Sequence, residues 1–322
     1  QLAVQDLGKA WQNFFNKAQK DWGKPKFKSK RAPKQGFKSD QARIVNGKLV
    51  LEKPQGLKAN WQPIKLSEKP FDYPTGTMSF YRVRDRYYVA IPYKIPKDRF
   101  EVKKKTGKAT GVDINVGHFN YEDGQLLIIP KSLTKIYSKI KHYQKQLAKK
   151  RTVNGRIKGA QSKKYLKTRI KLQASYQRAQ NIQTDLMHKF TTELVNNYDQ
   201  IAIEDLGVKG MLMSHVASKG MHRSMFGLFR KLLTYKCEWY GKELIIANKL
   251  YPSTQRCAAC GLVKKGDEKI TLQGNKKHGT KHNEFVCYNP NCPNYNKKVD
   301  RDENAMANLT LLVKHPELNR AL

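Results

Sequence analysis

Acidic residues are scarce in this chain. Only 26 Asp and Glu stand against 63 Lys and Arg in 322 residues, a formal charge of +37. A chain so one-sided repels itself unless a polyanion neutralises it, and nucleic acid is the usual one, bound through its phosphates. A ribosomal-type or merely basic soluble protein is the bland alternative. Long apolar runs are missing too. Nothing approaches the roughly 18 residues of a membrane span, so no membrane partner is expected, and no signal peptide is visible. Cysteine is rare, five residues in all, and two spaced pairs among them read as a metal pattern rather than a disulfide one. That usage fits a reducing, intracellular compartment. The chain opens at Gln1, not Met, inside a helical pattern, and a preceding segment is expected. Hydrophobic residues make up 39%, enough for a core, which excludes a disordered chain.

Along the chain, Val4, Leu7, Trp11, Phe14 and Phe15 recur at helical spacing within 1–22. Gly23–Gly36 mixes Lys, Pro and Gly without period and reads as a basic loop. Residues 42–102 read as strands of a small β-barrel or sheet. Asn46-Gly47 turns one hairpin, and Arg84-Asp85-Arg86 joins Met78–Val83 to Tyr87–Ile91. Thr110–Val116 is a short apolar strand, followed by a hairpin turning at Asp123-Gly124. Two long helices are predicted over 131–190, interrupted at Val153-Asn154-Gly155. Residues 131–180 hold 16 Lys or Arg and no Asp or Glu. A solvated helix face normally mixes signs, so an external anion, a nucleic-acid backbone, is the favoured counter-charge. Ile201–Ile203 is a second buried strand. Gly207–Gly220 is Gly- and Met-containing and irregular, a candidate mobile lid. A helix over 224–240, a strand over 243–247, a cysteine module over 251–297 and a helix from Ala305 to about Val313 complete the pattern.

Two constellations carry chemistry. Cys257-Ala258-Ala259-Cys260-Gly261 is a knuckle, two thiols on a tight turn, and Cys287 and Cys292 supply a second pair. Four thiolates suit tetrahedral Zn²⁺. Two disulfides or free thiols are the alternative, while His278 and His282, between the pairs, are assigned to a loop though they could substitute as ligands. Cys237 falls on a helical pattern and reads as core. In so acid-poor a chain, carboxylates that end apolar strands stand out. Asp113 lies inside Gly111-Val112-Asp113-Ile114, Glu204 ends Ile201–Ile203, and Asp302 precedes a helix. A carboxylate within an apolar strand is costly unless it meets a cation. Singly, Asp113 also reads as a hydrogen-bonded turn residue, Glu204 as a surface strand end and Asp302 as an N-cap. Together, in the order strand-Asp, strand-Glu, Asp-helix, they match a ribonuclease-H-like two-metal site.

The motifs Gly111-Val112-Asp113, Ile203-Glu204-Asp205-Leu206, Tyr235–Gly241, Tyr251-Pro252-Ser253-Thr254, Cys257–Gly261 and Asp300-Arg301-Asp302-Glu303-Asn304-Ala305 resemble the TnpB (OrfB) proteins of bacterial insertion sequences, relatives of compact type V CRISPR effectors. The resemblance implies an α/β multidomain chain: a RuvC-like, ribonuclease-H-fold nuclease with an inserted zinc ribbon, a β-barrel wedge domain and a helical recognition remnant. The implied boundaries are 1–40 for the recognition-lobe remnant and basic loop, 41–106 for the wedge, 107–250 for the nuclease with basic helices 131–190, 251–298 for the zinc ribbon, and 299–322 for the final nuclease segment. It implies catalytic Asp113, Glu204 and Asp302 holding Mg²⁺ or Mn²⁺, zinc on Cys257, Cys260, Cys287 and Cys292, guide RNA and target double-stranded DNA as partners, and a cytoplasmic, nucleoid-associated place in a bacterium or archaeon; the oligomeric state stays open, with a monomer favoured. The activity implied is RNA-guided DNA cleavage. A nuclease-dead, RNA-guided repressor on the same scaffold is the alternative, disfavoured because all three acids are present, and a strand-joining transposase is weaker still. The chain departs from the family in the four residues between Cys287 and Cys292, where two are usual, and in the long insertion after Cys260.

Overall fold

The computed structural model describes residues 2–16, 23–27, 34–56, 61–83, 86–99, 103–151, 162–206, 225–271 and 273–319. The break expected at Val153-Asn154-Gly155 and the Gly207–Gly220 segment lie outside these residues. The chain divides into two units, Gln1–Phe100 and Glu101–Leu322. Among the described residues no helix is long and apolar enough to cross a membrane.

In the first unit, α1 (Leu2–Phe15) gathers Trp11, Phe14 and Phe15 into one group of rings, with centroids 5.2–5.8 Å apart. Strand β1 (Lys34–Ser39) follows. Residues 34–36, assigned to a loop for want of periodicity, therefore open a strand instead. Their backbone is claimed by pairing, not by side-chain pattern, because β1 runs antiparallel to β5 (Met78–Val83), which pairs with β6 (Arg86–Ala90). A second small sheet joins β2 (Arg43–Val45), β3 (Lys48–Val50) and β4 (Ile64–Lys65). Its first turn places Asn46 at φ 49° and Gly47 at φ 71°, the two left-handed positions a two-residue hairpin of this hand needs. Ala42, Leu49 and Met78 form the buried centre of this unit.

The second unit is built on a five-stranded sheet of order β11-β10-β7-β8-β9: β7 (Ala109–Ile114), β8 (His118–Tyr121), β9 (Gly124–Leu127), β10 (Gln200–Glu204) and β11 (Glu243–Ala247). Strands β7, β8 and β9 are antiparallel neighbours, while β7, β10 and β11 run parallel. Between β9 and β10 stand α2 (Lys131–Arg151) and α3 (Lys163–Asn197), and α4 (Phe226–Tyr240) precedes β11. The α2–α3 pair closes on Leu133, Ile136, Ile140 and Ala179. Lys150, late in α2, donates to Thr168, early in α3, at 2.6 Å, so the two helices are antiparallel.

Side-chain alternation assigns the faces of the sheet. Val112, Ile114, Ile201 and Ile203 point to one side, where Met187, Phe190 and Leu194 of α3 and Phe229 and Leu233 of α4 cover them. The opposite side is lined by small residues, Gly111, Ala202 and Ala247. Onto it packs the last helix, α5 (Arg301–Lys314), through Leu309, Leu312 and Val313. The approach is close: a Cβ on Gly111 would lie 2.4 Å from the Met306 carbonyl oxygen and 2.5 Å from Leu309 Cβ. Helix α5 starts at Arg301, four residues before the expected Ala305, because Asp300 caps it. Its carboxylate accepts from the Asp302 amide at 2.9 Å and the Glu303 amide at 3.1 Å. Asp302 is thus inside the first turn rather than ahead of it. Ahead of α5, β12 (Glu284–Val286) and β13 (Lys298–Asp300) pair in the cysteine module.

Gly111→Ala is expected to push α5 off the sheet and destabilise the fold by about 1–3 kcal/mol, the usual cost of overpacking. Equilibrium denaturation of the variant against the parent chain measures it.

Candidate active site and thiol cluster

Parallel pairing brings two of the three carboxylates together. Val112 is in register with Ile203, so Asp113 and Glu204, the next residue on each strand, stand side by side at the carboxyl ends of adjacent strands, roughly 4.8 Å between backbones. Both alternate onto the small-residue face, the face α5 covers, and α5 carries Asp302 in its first turn. In open α/β sheets this end of the strands, where the order changes direction, is where ligands bind.

The electrostatics of the cluster are those of like charges held out of water. Asp113 is 3% exposed. Burial, then the charges of Glu204 and Asp302, push its carboxyl up to about 8, while the Asn115 amide and Arg301 oppose the rise. Burial also raises Glu204, against the Ser253 hydroxyl, which donates to its Oε1, and against Arg301. Asn115 Nδ2 donates to Asp113 at 2.6 Å. Asp302 has two neighbours: Arg301, whose Nη2 lies 3.2 Å from Oδ1, and His118, whose Nε2 lies 3.3 Å from Oδ2 and donates when it carries the proton.

Sequence reasoning missed His118, Arg301 and Ser253 as partners of the acids. Ser253 and Arg301 lie in quoted motifs without an assigned role. His118 follows a turn and carries no local signal.

The cysteine module resolves its own alternatives. Sγ of Cys257 lies 3.7 Å from that of Cys292, and Sγ of Cys260 lies 3.6 Å from that of Cys287. These separations are far beyond a disulfide bond of about 2.05 Å. They match the edge of a sulfur tetrahedron around a metal at about 2.3 Å, roughly 3.8 Å. All four Sγ atoms fall within 4.8 Å of one another. Among the described residues this is the group of metal donors drawn that close. Burial and the crowding of the other thiols push Cys287 up to about 12, so four thiolates need a cation to coexist, and a tetrahedral zinc fits the donor set. His278 is no ligand here: it stacks on Tyr288 at 3.8 Å and bonds Glu268 at 2.6 Å. Cys237 is a buried core residue on α4.

Two outcomes follow from these charges. Cobalt(II) added to the metal-stripped chain is expected to give the intense absorption of a tetrahedral thiolate site, and Cys287→Ser is expected to weaken and shift it. Without divalent metal, the folded chain keeps a proton on Asp113 that the unfolded chain has released at its ordinary value near 4. Stability at low metal should therefore fall as pH rises from about 4 to about 8. Thermal melts across that window, compared with Asp113→Asn, check this, since the variant should lose that part of the slope.

The larger unit matches known proteins along most of its length. A family model described as "Probable transposase" (OrfB_IS605) matches residues 90–215, and one for the TNB domain of Cas12f1-like proteins matches residues 226–309. A Streptomyces pristinaespiralis protein described as "Putative RNA-guided DNA endonuclease" is 27% identical over 269 residues, 82% of this chain and 62% of its own. An Escherichia coli K12 protein described in the same words, with the name InsQ, is 28% identical over 286 residues, 81% of this chain and 64% of its own. An Acanthamoeba polyphaga mimivirus protein, "TnpB-like protein L79", is 26% identical over 250 residues, 73% of this chain and 42% of its own. The chain spans less than two thirds of the length of each. Two successive family models meet on one sheet whose strand ends carry paired carboxylates, and curated relatives match most of the chain: it is similar to the TnpB (OrfB) family over most of its length.

Proposed function

We propose that the chain acts as an RNA-guided DNA endonuclease that hydrolyses phosphodiesters with divalent metal at Asp113, Glu204 and Asp302. The observation that carries this reading is the register of β7 and β10. It seats a buried and a half-buried carboxylate next to each other at the strand ends, beneath the helix turn that holds the third. A carboxyl held near 8 in an otherwise cationic chain is a group waiting for a cation. An all-oxygen donor set suits magnesium or manganese. Bound there, such ions would polarise the scissile phosphate and make water a better nucleophile. The chain's own residues do the rest. Asn115 and Ser253 aim the oxygens of Asp113 and Glu204, and Arg301 and His118 hold Asp302 in the first turn of α5. Arg301 also partly offsets the negative charge of the cluster while the site is open.

The sheet, with three antiparallel strands followed by two parallel ones and helices on both faces, supports the RuvC-like, ribonuclease-H reading of 107–250 and 299–322. The acid-free stretch 131–180, α2 and the first half of α3, is assigned to the phosphates of guide RNA and its heteroduplex with DNA, where Lys and Arg release counterions. The strands of 41–106 are assigned to the RNA scaffold as a wedge, and 251–298 to a zinc ribbon.

The chain purified with its RNA is expected to cut a matching DNA duplex only with Mg²⁺ or Mn²⁺. Asp113→Ala should lower cleavage more than about a hundredfold while leaving RNA binding intact. Cutting that persists after the RNA is digested away would overturn the guidance.

A further inference from the structure

The segment between β11 and the first cysteine pair is short, and its polar backbone is turned toward α5. Two asparagines one helical turn apart on α5 receive it. Asn308, fully buried, directs its amide nitrogen at the carbonyl oxygens of Ser253, at 2.9 Å, and Arg256, at 2.7 Å. Asn304 donates to the Arg256 carbonyl at 2.7 Å and accepts from the Ala258 amide at 3.0 Å. Tyr251 closes the same seam, its hydroxyl donating to the Asn308 carbonyl at 2.9 Å. An aliphatic side chain at 308 would take the donor from the Ser253 carbonyl, and one at 304 would take the acceptor from the Ala258 amide. The fastened segment has a functional group at each end. Ser253, near its start, donates to Glu204, and Cys257, near its end, belongs to the thiol cluster. The helix that fastens it begins with Asp302 in its first turn.

We propose that Asn304 and Asn308 are positioning residues that lock the thiol cluster to the carboxylate cluster, with Ser253 as the contact that transmits the placement to Glu204. The inference rests on the reading of Asp113, Glu204 and Asp302 as a divalent-metal site. Zinc at the thiols fixes Cys257. The asparagines carry that order along 253–258, and Glu204 is held ready for the second ion. Because binding linkage is reciprocal, an occupied thiol site raises the affinity of the carboxylates for Mg²⁺ or Mn²⁺ by the same factor that the carboxylate ions raise retention of zinc.

The test measures Mn²⁺ binding to the full chain by electron paramagnetic resonance, with Asp113→Asn defining the share that belongs to the carboxylates. Ser253→Ala and Asn304→Ala are each expected to weaken that share about fivefold to tenfold. Their cobalt(II)–thiolate absorption should match the parent; Ser253→Ala should also melt like the parent, while Asn304→Ala, which strips the Ala258 amide of its acceptor, should melt lower. Ser253→Thr, which keeps the hydroxyl, should restore binding. The double variant Ser253→Ala/Asn304→Ala should lose no more than the weaker-binding single variant, because both act through one contact. Unchanged Mn²⁺ binding in Ser253→Ala, or additive losses in the double variant, would overturn the proposal. If Asn304→Ala fails to fold, the contrast between Ser253→Ala and Ser253→Thr, together with Cys257→Ser, decides the same question. Cys257→Ser should weaken Mn²⁺ binding as much as Ser253→Ala, and undiminished binding in it would overturn the linkage. DNA cleavage is scored separately. A chain that binds Mn²⁺ through Asp113 but never cuts would refute the nuclease reading while leaving the positioning role standing.

Discussion

The contact on which the rest depends is the backbone-to-backbone approach of α5 and β7. With no side chain at Gly111 and only methyl groups at Ala202 and Ala247, the helix lies against the sheet, and Leu309, Leu312 and Val313 fill the space that remains. Because the helix is that close, the acid in its first turn can act on carboxylates at the strand ends. The same approach brings Asn304 and Asn308 against the segment that leads into the cysteine module. A bulkier face would move the helix outward by the width of a methyl group or more, and every group it carries would move with it.

Charge is organised by scale. Over the whole chain Lys and Arg far outnumber Asp and Glu, and those described along α2 and α3 are exposed. At the strand ends the sign reverses over a few ångströms, with three acids and a single guanidinium among them. A third arrangement fixes the opposite end of the parallel strands, where buried Lys242 bonds Asp199 at 2.5 Å while Asp199 also accepts from the Thr106 and Gly107 amides. Burial and hydrogen bonding decide which of these charges is costly. Lys242 holds Asp199 below the usual carboxylate range, and desolvation lifts Asp113 far above it.

The sequence was legible where one local signal was enough. Asn46-Gly47 announces its hairpin, short apolar runs announce β7 and β10, and the spacing of Leu133, Ile136 and Ile140 announces α2. The three acids stood out because so few acids compete with them. What escaped were relations set by contacts between distant segments. Strand β1 looks like loop until β5 pairs with it. The start of α5 was misplaced because two acids, Asp300 and Asp302, can both cap a helix on paper, and only the amides they reach distinguish them. His118 and Asp302 are 184 positions apart, and no spacing rule links them. Among four cysteines, the choice between disulfides and a metal needed sulfur–sulfur distances.

The raised carboxyl of Asp113 also makes cation binding an exchange rather than a simple capture: at neutral pH an ion that seats against it releases a proton. In a chain this positively charged, the acid cluster keeps a hydrogen of its own until a divalent cation displaces it.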